Sequence, residues 1–213
     1  MAVVRVDRAG FPFILSASTL AVAAGVVEAW WLAIPLVVAG AFFIFFFRDP
    51  DRRARADTDD NVVLSPADGR VLIAGRATRQ AAPPGDWQQV SIFLSAMDVH
   101  VNRVPASGRV TQVSFRPGRF LPAYRSDAAT SNERSEIWID HRGQTIVARQ
   151  IVGILARRVV CRLESGASVQ AGDRLGIMKF GSRMDVFLPL SATLSVAVGQ
   201  KVRGGETAIA VLH

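Results

Sequence analysis

The sequence predicts a mainly β domain, compact and of barrel or barrel-sandwich type, behind an N-terminal α-helical membrane hairpin. Three observations predict it. Two membrane-length apolar runs open the chain, Phe11–Val27 with 17 residues and Ala29–Phe47 with 19. Short runs of alternating apolar and polar residues, separated by turn signals, fill the remainder. No stretch after residue 60 has the periodicity of an amphipathic helix. The 213 residues suit one ordinary domain plus an additional segment. Their mean hydropathy of +0.26 is high for a chain with a formal charge of +7, because the two properties reside in different segments.

Residues 1–47 supply the hydropathy. As helices the two runs are each about 25–29 Å long, close to the thickness of a hydrocarbon core. Glu28 separates them, and with two passes Glu28, Trp30 and Trp31 lie at the far interface, which suits a charge and two indoles. Arg5 and Arg8 precede the hairpin and Arg48, Arg52, Arg53 and Arg55 follow it. Two passes put both basic ends on the inside, and with them the remaining chain on the cytoplasmic side of a plasma (inner) membrane. Ser16, Ser18 and Thr19 weaken the first run and leave a re-entrant hairpin as an alternative. A cleaved signal peptide would still leave the second run as an anchor. A buried soluble hairpin is the weakest reading, since Phe42, Phe43, Phe45, Phe46 and Phe47 leave no polar face.

Residues 48–60 hold four Arg and five Asp and read as a charged linker, not a polybasic lipid clamp. The net positive charge therefore lies in 61–213. Without a helix-turn-helix, zinc finger or aromatic RNA-binding motif, nucleic acid is not the expected partner, and a tethered domain favours anionic phospholipid. The single Cys161 excludes an intrachain disulfide, and three His leave little for a metal centre, so no metal is expected.

The β-rich part, 61–213, carries expected strands at Arg70–Arg76, Gln88–Ser95, Val99–Val104, Arg109–Phe115, Glu136–Asp140, Gln144–Val152 and Thr193–Val198. Pro83-Pro84-Gly85-Asp86, Arg116-Pro117-Gly118 and Arg142-Gly143 punctuate them. The stretches 169–175 and 198–206 echo one another, each a strand end followed by a glycine turn.

Three blocks stand out. Asp68-Gly69, in Ser65-Pro66-Ala67-Asp68-Gly69, reads on its own as a hairpin turn. Met97 to Pro105, if extended, puts Asp98, His100 and Asn102 on one face and Val99 and Val101 on the other. That gives either a proton carrier or a surface strand with one His. Gly181-Ser182 interrupts two apolar β-like runs between Leu175 and Pro189, where Gly marks a bend or a close approach, or an ordinary turn. It lacks the pattern of a hydrolase nucleophile elbow.

Taken in order, Ser-Pro-Ala-Asp-Gly at 65–69, Met-Asp-Val-His-Val-Asn-Arg at 97–103 and Lys-Phe-Gly-Ser-Arg-Met-Asp-Val at 179–186 resemble the phosphatidylserine decarboxylase family in its short form. Phe46-Phe47-Arg48-Asp49-Pro50, Gly118-Arg119-Phe120-Leu121, Asn132-Glu133-Arg134 and Gln150-Ile151-Val152-Gly153 agree with it. The resemblance implies a self-processing enzyme that cleaves its own Gly181–Ser182 bond. The products are a β chain of 1–181 and an α chain of 182–213, which stay together as a heterodimer. Ser182 becomes a pyruvoyl cofactor. The cofactor decarboxylates phosphatidylserine to phosphatidylethanolamine and CO2 through a Schiff base with the headgroup amine.

On this resemblance His100 is the candidate proton donor and Asp68 belongs to the self-processing machinery. The better-known bacterial branch has a second His where this chain has Arg103, which cannot act as a base. His141 and His213 are not obvious substitutes. Either His100 serves both steps, or Asp68 acts directly or through water. Arg103 is a candidate ligand for a carboxylate or phosphate. Arg183 is a candidate ligand for the lipid phosphate, with an exposed strand charge as the plain alternative. A different class of reading remains. Ile177-Met178-Lys179-Phe180 resembles the Met-Lys-Met turn of biotin carrier domains, so a membrane-tethered biotinyl or lipoyl-type carrier modified at Lys179 is the rival.

Overall fold

The two kinds of periodicity fold into two units. The computed structural model describes residues 4–52, 59–154, 159–179 and 181–213, and it divides into Met1–Asp51 and Arg52–His213.

In the first unit a strand, β1 (Val4–Val6), leads through a short 3₁₀ turn at Arg8–Gly10 into α1 (Phe11–Val26) and α2 (Trp30–Phe46). The Asp7 carboxylate caps the turn by accepting from Ala9 N at 2.9 Å, and Pro12 sits where a helix start has no use for its N–H. Glu28 makes the bend between the helices with φ +56°. The helices close on small residues and aromatic rings. A Cβ on Gly40 would lie 3.8 Å from the Ala17 methyl, and the Phe13 ring is 5.4 Å from that of Phe43. The helical stretch Arg8–Val26 is long and apolar enough to cross a membrane, while Trp30–Phe46 is a shorter apolar helix. After α2, β2 (Arg48–Pro50) pairs antiparallel with β1. The start of the expected linker is therefore strand, and its residues 53–58 lie outside the described part.

The second unit is built of β3 (Val62–Leu64), β4 (Gly69–Arg76), β5 (Gln88–Leu94), β6 (Val101–Arg103) and β7 (Gly108–Arg116). A four-residue α3 (Ala128–Ser131) precedes β8 (Arg134–His141), β9 (Gln144–Val152), β10 (Val159–Cys161) and β11 (Ser168–Val169). The chain ends with β12 (Arg174–Met178), β13 (Ser182–Leu188), β14 (Thr193–Leu194), β15 (Lys201–Val202) and β16 (Ala208–Val211). The pairings form an eight-stranded sheet ordered β11-β7-β8-β9-β13-β5-β4-β15 and two three-stranded sheets, β10-β12-β6 and β14-β16-β3. All the strand pairs are antiparallel.

The core forms where the period-two faces meet. Val90, Ile92 and Leu94 of β5, Met184, Val186 and Leu188 of β13, Ile146 and Ala148 of β9, and Ile137 and Ile139 of β8 pack with Val104, Leu175 and Met178. Each aliphatic side chain buried there contributes about 1.5–3 kcal/mol. Two local expectations change. Asp68-Gly69 is not a hairpin turn, because Gly69 already opens β4 beside β5. The expected strand at 193–198 shrinks to Thr193–Leu194.

Candidate active site

Ser182 is the first residue of β13, which runs between β5 and β9 in the middle of the large sheet. Its cross-strand partners are Leu94 and Val152. Alternation puts Ser182 on the core face with Met184 and Val186, so a hydroxyl stands where the pattern otherwise places hydrocarbon. Ser182 has no exposed surface, and its Oγ has no hydrogen-bond partner among the described residues. Such an orphaned hydroxyl costs about 1–3 kcal/mol relative to a paired one.

Backbone geometry singles out the bond before it. Gly181 has φ +70°, in the left-handed region that glycine tolerates best. Its carbonyl oxygen lies against Gly153, where an added Cβ would stand 2.1 Å away. Glycine at position 153 is what permits this close approach.

The facing sheet brings His100 and Asn102. Met178 N donates to His100 O at 3.4 Å, which sets His100 beside the end of β12, four residues before Ser182. His100 is fully buried, and its Nδ1 lies 2.9 Å from Asp98 O. Since a carbonyl only accepts, Nδ1 carries the proton and Nε2 is the basic nitrogen of the neutral ring. The surface-strand reading of this block fails, because Val99 to Val104 are buried on both faces. Asn102 Oδ1 accepts from Gln150 Nε2 at 2.8 Å. Gln150 pairs with Met184 and shares the Ser182 face.

Asp68 lies in a different set of contacts. Arg52 grips both of its carboxylate oxygens, with Arg52 Nη2 to Asp68 Oδ2 at 2.7 Å, and Gly204 N donates to Asp68 Oδ1 at 2.8 Å. Arg103 N donates to Pro66 O, and its Nη1 donates to Gly172 O at 3.1 Å. On β6 the Arg103 side chain takes the face opposite Asn102. Ser182, His100 and Asn102 thus belong to one region, while Asp68 and Arg103 serve the 65–68, 172 and 204–205 turns.

Residues 39–210 match the family described as phosphatidylserine decarboxylase. Three proteins named phosphatidylserine decarboxylase proenzyme are similar over most of the chain. The one from Desulfotalea psychrophila is 40% identical over 205 residues, covering 96% of this chain and 95% of its own. That from Pelodictyon phaeoclathratiforme is 42% identical over 192 residues, covering 88% and 89%. That from Rickettsia akari is 45% identical over 181 residues, covering 81% and 76%. The chain belongs to the phosphatidylserine decarboxylase family. Members of this family are decarboxylases, so the chain is an enzyme and not a carrier domain.

In this decarboxylase Arg183, 2% exposed, is not an exposed strand charge, and its side chain leaves β13 on the face opposite that of Ser182. There its Nε donates to Asp185 Oδ1 at 2.6 Å and its Nη2 to Ser91 Oγ at 3.0 Å. Gln89 Nε2 donates to Ser91 Oγ and Asp185 Oδ2. On the same face Arg149 pairs with Glu136 at 2.9 Å and stacks over Phe187. Burial pushes the Arg149 guanidinium below its ordinary value, and Glu136 opposes the shift.

Gln150 and Gly153 were legible only as parts of a family-like stretch, and Asn102 only as a neighbour of His100. Their contacts to residues 184 and 181 come from cross-strand register, which no local pattern encodes.

Proposed function

We propose that the chain is a self-processing, pyruvoyl-dependent decarboxylase acting on phosphatidylserine, with Gly181–Ser182 as the bond it cleaves. The observation that carries this reading is the buried, unpartnered Ser182 Oγ directly after a glycine of positive φ. Ser182 Oγ attacks the Gly181 carbonyl carbon. The amide C–N bond then breaks and the nitrogen takes up a proton, which leaves an ester. Loss of the residue-182 α-proton expels Gly181 as a carboxylate and leaves dehydroalanine. Hydrolysis of that enamine releases ammonia and gives the N-terminal ketone.

His100 is the base for the first step and the proton carrier for the second. Nδ1 is tied to Asp98 O, which leaves Nε2 to exchange the proton. Asp68, held by Arg52, keeps the 65–68 turn against Gly204 and supports the fold around the site, which favours His100 over Asp68 as the base. The residues fit the cofactor they would carry: it replaces a small, fully buried side chain at position 182, on the sheet face that also carries Gln150. When formed, the pyruvoyl group supplies a carbonyl that condenses with the headgroup amine and accepts the electron pair left by CO2. His100 Nε2 then holds the proton that the product carbon receives.

A lipid substrate is supported by the surface at this end of the sheet. Cross-strand register aligns Arg116, Arg134, Ile151 and Arg183 at one level. Phe115, Phe120, Tyr124 and Ile154 are exposed around that level, with Arg116 and Arg119 among them. Aromatic and aliphatic side chains interleaved with arginine suit an anionic bilayer surface. With the basic flanks of the apolar helices on the inside, the catalytic unit works on the cytoplasmic face of a plasma membrane. The α and β chains remain associated because β13, the first strand of the α chain, is hydrogen-bonded between β5 and β9 of the β chain.

Denaturing mass spectrometry and CO2 release from phosphatidylserine vesicles test the reading together. Fragments 1–181 and 182–213, the latter with a carbonyl-blocked terminus, and release of CO2 are expected. An intact chain that is inactive on phosphatidylserine overturns it.

A further inference from the structure

The core face near Ser182 contains a second polar interruption, the buried pair Asn102–Gln150. Both residues have no exposed surface. They share one hydrogen bond of 2.8 Å, and Asn102 Nδ2 and Gln150 Oε1 have no partner among the described residues. Exchanging oxygen and nitrogen in both amides gives the same result, one orphaned donor beside one orphaned acceptor. A buried amide pair serving only as a brace would be replaced without loss by two apolar side chains, because each orphan costs about 1–3 kcal/mol.

Register fixes where the orphans lie. Gln150 is opposite Met184 and Val152 is opposite Ser182, so Gln150 is a diagonal neighbour of Ser182 on the same face, roughly 7–8 Å away. Asn102 reaches this point from the facing sheet, two residues from His100.

We propose that the Asn102–Gln150 pair is the recognition site for the α-carboxylate and α-amino group of the serine headgroup. The proposal rests on the decarboxylase reading above. The orphaned amide N–H donates to the carboxylate, and the orphaned amide oxygen accepts from the nitrogen of the headgroup. A neutral amide suits a carboxylate that must leave. Loss of CO2 removes the negative charge from that position, so a guanidinium there would stabilise the ground state more than the transition state. Arg103 and Arg183 accordingly point to other faces of their strands.

The test uses the full chain with Asn102→Asp, which keeps an acceptor for Gln150 Nε2 and puts a negative charge where the substrate carboxylate binds. Fragment masses report self-cleavage. Borohydride reduction with phosphatidylserine or with phosphatidylethanolamine, followed by mass analysis of the 182–213 fragment, reports how well each lipid reaches residue 182. Phosphatidylethanolamine lacks the carboxylate and serves as the control.

Cleavage is expected to proceed. The phosphatidylserine adduct should fall by about ten- to a hundredfold, and the phosphatidylethanolamine adduct should change by less than about twofold. Equal loss for both lipids, or loss for neither, overturns the proposal. Asn102→Leu, which removes the amide without adding charge, carries the same comparison if the Asp variant does not fold. If both variants fold and neither cleaves, the pair belongs to self-processing and the headgroup role is wrong. A wild-type chain that neither cleaves nor forms any adduct instead refutes the decarboxylase reading itself.

Discussion

The carbonyl oxygen of Gly181 lies where the Cβ of any other residue at position 153 would stand, 2.1 Å from it. Gly153→Ala should therefore displace the carbonyl that Ser182 attacks while leaving the strands of the large sheet intact. A misplacement of about 1 Å costs on the order of a hundredfold in a positioned reaction. Time-resolved fragment analysis of freshly made Gly153→Ala should show cleavage slowed by about that factor. Cleavage at the wild-type rate would mean that the close approach has no part in processing.

His100→Ala should abolish self-cleavage, and general-base loss typically costs about 10²–10⁴-fold. Mass spectrometry of the purified variant should find the intact 213-residue chain. If it cleaves fully yet releases no CO2, His100 serves decarboxylation alone and another group activates Ser182.

The Arg183–Asp185 pair, 2% and 0% exposed in its side chains, should matter to stability and not to chemistry. Asp185→Ala leaves a buried guanidinium uncompensated and should cost about 3–5 kcal/mol, read from chemical denaturation of the processed enzyme. Arg183→Met combined with Asp185→Leu should recover most of that loss. An Asp185→Ala variant as stable as wild type would remove the pair from the list of fold determinants.

Burial pushes the Cys161 thiol above its ordinary value, against a smaller opposing effect of hydrogen bonds from its surroundings. The protonated thiol therefore contributes stability that is complete below the unfolded thiol's value, about 8.5, and is lost as pH rises through the higher folded value. Alkylation by iodoacetamide should be slow at neutral pH and accelerate only well into the alkaline range. Rapid labelling at pH 7 would contradict a half-buried thiol held above its ordinary value.

Replacing Phe120 and Tyr124 by Ser should lower kcat/KM several-fold on phosphatidylserine in anionic vesicles and leave a short-chain, dispersed phosphatidylserine nearly unaffected. The two side chains are exposed beside the Ser182 end of the sheet and make no part of the core. Equal rates on vesicles before and after substitution would place the bilayer contact elsewhere.

The sequence by itself determined the division of the chain and the sign of each part. Two long apolar runs around Glu28 fit membrane-length helices, and the short alternating runs between Arg70 and Val152 fit strands. It also marked Gly181–Ser182, because glycine inside an apolar β-like run is locally anomalous. It did not determine that β13 would be a central strand, since β9 and β13 are separated by residues 153–181 and β5 lies farther still along the chain. Only that register sets Gly153 under the Gly181 carbonyl, Gln150 diagonal to Ser182 and Asn102 above Gln150. Alternation along β13 turned the Arg183 side chain away from that of Ser182 and toward Asp185, and the pairing of β13 with β5 added Ser91 to the contact. Asp68 likewise found Arg52 and Gly204 through chain reversals that no local pattern specifies. Local periodicity states which face of a strand is apolar, and long-range pairing decides which side chains meet on it.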